Sequence, residues 1–217
     1  MSDDSQNNTY DDPDAFRTLA GTGTSEIKVE GSRFLGEAVP IGTEEAAQAK
    51  VAQVRSDHHD ARHVCYGLRV GLGAARIDRS NDDGEPARTG GFPIWQLLST
   101  EEIENALVIV VRYFGGTKLG MGGLKRAYRD AAKAAVKAAG TTVRHPESHL
   151  CVTVPYERYD SLERFVKALE IARITDREFG ADVDVELAVW SSKTTELKRR
   201  LSELLNRHRD DFDFAGD

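Results

Sequence analysis

Three short segments carry residues that could do chemistry. The first runs from Arg112 to Tyr128 (RYFGGTKLGMGGLKRAY). It holds glycines at Gly115, Gly116, Gly120, Gly122 and Gly123 and basic side chains at Arg112, Lys118, Lys125 and Arg126, with Arg129 just beyond. Glycine lets an outside group come close to the backbone, and the free amides at a helix start attract anions. The chemistry is phosphate binding, whether on RNA or on a small molecule. The pattern GxxxxGK[ST] is absent, and Gly120-x-Gly122 lacks the third glycine of a dinucleotide fingerprint. Glycine clusters also serve tight strand–helix packing, and a basic helix face is also a solvated one. Both readings stand at this point.

The second segment is Arg79–Pro93 (RSNDDGEPARTGGFP), where Asp82, Asp83 and Glu85 lie close in sequence. They could share a metal ion or act as acid and base. The same residues form ordinary turn chemistry, and no glutamate stands at the twelfth position of a calcium loop. The third is His63-Val64-Cys65. On a strand, residues two apart face the same way, so an imidazole would stand beside a thiol. That is nucleophile chemistry, a metal half-site or a buried structural pair. His149-Leu150-Cys151 repeats the spacing beyond a domain junction, which argues against a shared zinc site. No metal and no cofactor is expected.

These segments need elements to hold them. Residues 1–22 are polar and acidic and read as a disordered tail. Ser25–Glu30 and Arg33–Ile41 alternate as a hairpin around Gly31-Ser32. Thr43 caps a helix running to about residue 57. Ala61–Gly71 is a strand, Ala75–Arg79 a possible partner, and Pro93–Leu98 a short helix. Asn105–Phe114 has the apolar, β-branched character of a central strand. Leu124–Ala139 is a helix ended by Gly140. Arg126, Arg129, Lys133 and Lys137 share one face of it, opposite Leu124, Ala127, Ala131, Ala134, Ala135 and Ala138. After His145–Ser148 the order strand, helix, strand, strand, helix suggests a ferredoxin-like unit, whose last strand must come from Asp210–Phe214. The expected division is a tail over 1–22, one domain over 23–144 and a second over 147–217.

The 217 residues carry a net charge of −7, unevenly spread. Residues 1–20 hold five acids and one arginine, and residues 146–217 hold 16 acids and 11 bases. Residues 112–144 hold eight bases and only Asp130 against them. Local field steers a partner more than net charge does. The longest apolar run, Ala106–Val111, falls far short of the roughly 20 residues of a membrane span. The start of the chain lacks a basic and apolar leader, and two cysteines make no disulfide scaffold. A cytoplasmic protein with no membrane association is expected.

EIKVEGSRFLGEAVPI, ARHVCYG, SNDDGEPARTGGFPI and VVRYFGGTKLGMGGLKRAY, in this order, resemble the IMPACT/YigZ family over about residues 25–140. Residues 146–217 fit the second domain of its bacterial, two-domain YigZ type. The family typically reads DDGEPxGTAG where this chain has Arg88 and Gly90. The resemblance implies an α+β architecture. Its first domain would be similar to the second domain of a small-subunit ribosomal protein, a hairpin and βαβ-type sheet packed by helices. Its second would be a ferredoxin-like sandwich similar to the last domain of elongation factor G. Eukaryotic relatives modulate a stress kinase of translation, so the implied theme is translation or RNA. The expected function is a non-catalytic RNA- or ribosome-binding module. Its phosphate contacts would be Arg112, Gly115, Gly116, Lys118, Gly120, Gly122, Gly123, Lys125, Arg126 and Arg129, and the acidic second domain would meet protein. The alternatives are an enzyme on a phosphorylated small molecule, with Asp82, Asp83, Glu85, His63 and Cys65 as candidate catalytic groups, and a protein-interaction scaffold.

Overall fold

The apolar run at Ala106–Tyr113 becomes the central strand, β6, of a five-stranded antiparallel sheet. The computed structural model describes residues 14–205. Phe16–Arg144 form one unit, and the chain from His145 onward belongs to another. In the first unit the sheet contains β2 (Gly23–Val29), β3 (Ser32–Pro40), β4 (His63–Val70) and β5 (Ile77–Asn81), in the order β2-β3-β6-β4-β5. Helix α1 (Glu44–Asp57) connects β3 to β4, which flank β6 and pair antiparallel with it. This is a split βαβ arrangement. Helices α2 (Gly91–Thr100) and α3 (Gly120–Ala139) lie on the other side of the sheet.

Strand β6 is apolar on both faces because both are covered. Ala106, Val108 and Val110 enter a core with Ile94, Leu98, Leu124 and Tyr128. Leu107, Ile109 and Val111 enter a second core with Ala47 and Val54 of α1. The alternation therefore delivers Arg112 to the α2–α3 side and Tyr113 to the α1 side. Thr43 caps α1 as expected, its hydroxyl accepting from Ala46 N at 3.1 Å. The mixed α+β class and the hairpin are also as expected. The hairpin turn falls one residue earlier, at Glu30-Gly31, with φ of 44° and 82°. Two positive φ values are what a two-residue turn between twisted strands requires.

Three expectations on local structure need correction. Helix α3 starts at Gly120, not Leu124. Glycine has poor helix propensity, but tertiary packing of Leu119 and Leu124 against the core carries the helix over it. The second correction concerns the expected tail. Phe16–Leu19 form β1, paired antiparallel with β7 (Thr141–Arg144), and Leu19 is fully buried. Arg17 Nη1 donates to the carbonyl of Glu101 at 3.1 Å. The partner strand lies more than a hundred residues away, so no local pattern marks β1. Residues 1–13 lie outside the described residues. Third, β5 runs from Ile77 to Asn81, with a short 3₁₀ turn at Gly73–Ala75 before it.

The second unit orders β8 (Glu147–Val154), α4 (Tyr156–Lys167), β9 (Ala172–Phe179), β10 (Val183–Trp190) and α5 (Thr194–Leu205) along the chain. Its sheet runs β8-β10-β9, with a core that includes Leu150, Val152, Leu162, Val185, Leu197 and Leu201. The strand expected at Asp210–Phe214 lies outside the described residues. Among the described residues, no helix is long and apolar enough to cross a membrane.

Candidate phosphate-facing site

The loop after β5 is a framework of short hydrogen bonds. Asp83 and Gly84 have φ of 44° and 81°, and Glu85 N donates to the carbonyl of Asp82 at 2.9 Å. Asp82 Oδ1 accepts from the amides of Gly90 and Gly91, both at 2.9 Å, at the start of α2. Its Oδ2 accepts from Arg88 N at 2.7 Å. Asp83 Oδ2 accepts from Val64 N at 2.7 Å, and its Oδ1 pairs with Arg55 at 2.6 Å. Both carboxylates thus hold the loop together. Neither is presented as a metal ligand or as an acid–base group, because loop and helix-start amides occupy the lone pairs of Asp82, and the Val64 amide and the Arg55 guanidinium occupy those of Asp83.

The tight turn sends Glu85 inward. Its Oε1 accepts from Arg112 Nη1 at 2.6 Å and from the Tyr128 hydroxyl at 2.8 Å. Arg112 and Glu85 are only 5% and 9% exposed. This corrects the expectation that Arg112 offers its charge to an external anion, since Glu85 neutralises it inside the domain. His63 Nδ1 lies 2.7 Å from the carbonyl of Asp83 and so carries the proton of that hydrogen bond. Its Nε2 lies 3.8 Å from Glu85 Oε1. His63 and Glu85 therefore share one wall, whereas Asp82 and Asp83 do not join them.

Cys65 is fully buried and donates its S–H to the carbonyl of Asp82 at 3.1 Å. Burial pushes this thiol far above its ordinary value, against the role of an activated nucleophile. Iodoacetamide is expected to leave Cys65 unmodified in the folded protein and to modify it in urea, which peptide mass spectrometry reads directly. The unfolded thiol ionises near 9.0, whereas the folded one keeps its proton. The folded state thus binds more protons above that pH, so stability falls as pH rises through it. His149 and Cys151 sit on β8 in the other unit. Among the described residues, no group of three or more His, Cys, Asp or Glu side chains is placed to hold a metal ion.

The glycine segment divides in two. Gly115 lies against the hairpin turn: a Cβ there would stand 1.9 Å from the carbonyl carbon of Gly31. Gly115 N also donates to Ser32 Oγ at 3.2 Å. Gly116 and Gly120 have φ of 92° and 65°, and Gly120, Gly122 and Gly123 form the first turn of α3. Leu119 stands at the N-cap and supplies no side-chain acceptor to that turn. Lys118, Lys125, Arg126, Arg129, Lys133 and Lys137 are all exposed. Beside the helix start is a cavity of about 410 Å³ lined by residues from both motifs, among them His63, Gly84, Glu85, Arg112, Lys118 and Gly120. Arg62, Phe114, Leu119 and Met121 line it too. Arg62, Met121 and Ser32 were not among the residues expected at the site. Adjacency to His63 could have flagged Arg62, but nothing local marks Ser32.

The Impact N-terminal domain matches residues 30–136, and a domain of unknown function (DUF1949) matches residues 152–206. IMPACT family member YigZ of Escherichia coli (strain K12) is 30% identical over 178 residues, covering 81% of this chain and 86% of the relative. This chain belongs to the IMPACT family. Family member YvyE of Bacillus subtilis (strain 168) is 28% identical, covering 90% of this chain and 89% of its own. A crystal structure of a hypothetical protein, 27% identical, aligns over 94% of this chain and 98% of its own with a TM-score of 0.66. Within this IMPACT family protein, Arg88 and Gly90 are not among the residues that line the cavity. Arg88 has φ of 61° and lays its guanidinium over Phe92 at 3.7 Å. That contact offsets part of the cost of a left-handed arginine.

Proposed function

We propose that this protein is a non-catalytic, cytoplasmic RNA- or ribosome-binding module in the regulation of translation. The outer face of α3 is its contact. The observation that carries this reading is the stripe of Lys125, Arg126, Arg129, Lys133 and Lys137, all exposed. Asp130 is the only acid on the helix, and its contact with Arg129 is long at 3.8 Å and solvated. A pair of that kind contributes little and leaves the arginine available. Gly122 heads the same face. Its φ is not left-handed and a Cβ there would meet nothing within 4 Å. The fold has no need of glycine there, whereas close approach of a phosphate backbone does. Translation is the theme the family resemblance implies. The second unit, acidic and with Tyr156 and Phe179 exposed, is the part proposed to meet protein.

The test is sedimentation of the tagged protein with ribosomal particles, at low and high salt and with and without ribonuclease. Five or six phosphate contacts give a slope of log K against log salt of roughly −4 to −5. Arg126→Glu and Arg129→Glu should each lower that slope by about one without changing the melting temperature. Normal binding by both single variants and the double variant would refute the assignment to this face. A second reading, an enzyme on a phosphorylated small molecule, has one observation in its favour. Glu85, His63, Lys118 and Gly120 border one cavity. The commitment of Asp82 and Asp83 to the loop weighs against it.

A further inference from the structure

The cavity at the start of α3 combines features that the outer helix face lacks. Its acid is already neutralised, because Glu85 is held by Arg112 and Tyr128. A buried glutamate therefore does not repel an anion here. Arg62 and Lys118 are exposed at its edge, with the Arg62 guanidinium 5.8 Å from the centre of the Phe114 ring, so cation and aromatic ring stand side by side. The first-turn amides of α3 lie beside them and lack a side-chain cap. The remaining wall is apolar, and Phe114 and Met121 are 43% and 58% exposed despite their size. The volume of about 410 Å³ is that of a small-ligand pocket.

We infer that this cavity holds one nucleotide unit. The base lies on Phe114 and Met121, and the phosphate meets Lys118, Arg62 and the amides opening α3. This deepens the reading of the glycine segment as phosphate-facing and names its occupant. A phosphorylated sugar would satisfy the cations but leave Phe114 and Met121 wet. A flat base covers them, and an aromatic platform accepts any base because each has a π face. The nucleotide can be free or can be a splayed unit of an RNA strand whose next phosphates follow Lys125 and Arg126.

The experiment titrates the full chain at low salt with the four nucleoside monophosphates, ribose 5-phosphate, and a single-stranded RNA octamer. The mononucleotides are expected to bind about tenfold more tightly than ribose 5-phosphate, with Phe114→Ala removing that margin, in line with the worth of one base stack. Lys118→Glu should weaken nucleotide and sugar phosphate alike. Phe114 and Lys118 are exposed, so unchanged melting temperatures serve as the folding control. The pair Arg129→Glu and Lys133→Glu should leave mononucleotide binding intact while weakening the octamer. Octamer binding that depends on Phe114, without mononucleotide binding, assigns the unit to an RNA strand. Binding of both assigns it to free nucleotide as well. If no ligand responds to Phe114→Ala or Lys118→Glu, the inference is overturned. If the cavity variants act and the helix-face pair does not, the contact proposed for α3 fails and the cavity stands.

Discussion

Glu85→Gln is expected to destabilise the protein by about 3–5 kcal/mol, the cost of breaking a buried ion pair by removing one partner. For a unit of this size that lowers the melting temperature by roughly 10–15 °C. The reason lies in Arg112, which is 5% exposed and has its guanidinium 2.6 Å from Glu85. Its Nε lacks a hydrogen-bond partner, and beyond Glu85 the guanidinium meets only the neutral Ser32 Oγ at 3.5 Å and the rings of Phe34 and Phe114, each centred 5.5 Å away. Removing both partners is a different matter. Glu85→Gln with Arg112→Met should recover most of the loss, because an apolar group of similar length carries no desolvation cost. A calorimetric scan of the wild type, the two single variants and the double variant measures the coupling. A Glu85→Gln variant that melts within 3 °C of the wild type would mean that Glu85 does not hold Arg112.

Gly90→Ala is the second large effect. A Cβ at Gly90 would stand 2.5 Å from Cys65 Sγ, which is fully buried, so one of the two must shift. Forcing a methyl into that space costs about 1–3 kcal/mol. The alanine that the resemblance implies at this position would place its methyl against the Cys65 sulfur. Adding Cys65→Ala to Gly90→Ala should therefore restore stability to within about 1 kcal/mol of the wild type, as volume-conserving exchanges do. Denaturant melts of the four proteins would show it. Equal loss in the Gly90→Ala single variant and the double variant would refute the steric account.

The parts that were legible in sequence are those whose causes are local. The continuous apolar, β-branched run of Asn105–Phe114 and the 3.6-residue spacing of Leu124–Ala139 mark β6 and most of α3 without help. Thr43 marks the start of α1. What remained hidden depends on partners far away in the chain. Arg112 and Glu85 are 27 residues apart, and nothing in either motif announces that the most suggestive cation is matched to the most suggestive acid. Asp82 and Asp83 allowed a turn or a functional cluster, and only the amides of Gly90, Gly91 and Val64 decide between them. The early start of α3 and the existence of β1 rest on tertiary packing, which overrides the propensity of a glycine turn and of an acidic leader. The resemblance supplied the order of the motifs but not the cavity between them.

The pairing of β1 with β7 gives the first unit a mechanical character. Phe16 faces Arg144 at one end of the ladder and Leu19 faces Thr141 at the other. The chain enters and leaves this unit at the same rung. A load that pulls those two points apart meets the ladder one rung at a time, as a zipper rather than as a shear joint. The rungs peel in sequence, ending near the bond from Ala20 N to the carbonyl of Gly140, before tension reaches the five-stranded sheet. A modest tug on both flanks would thus be taken first by this ladder, with the buried Leu19 resisting the last rung, before β6 and the Glu85–Arg112 pair are strained.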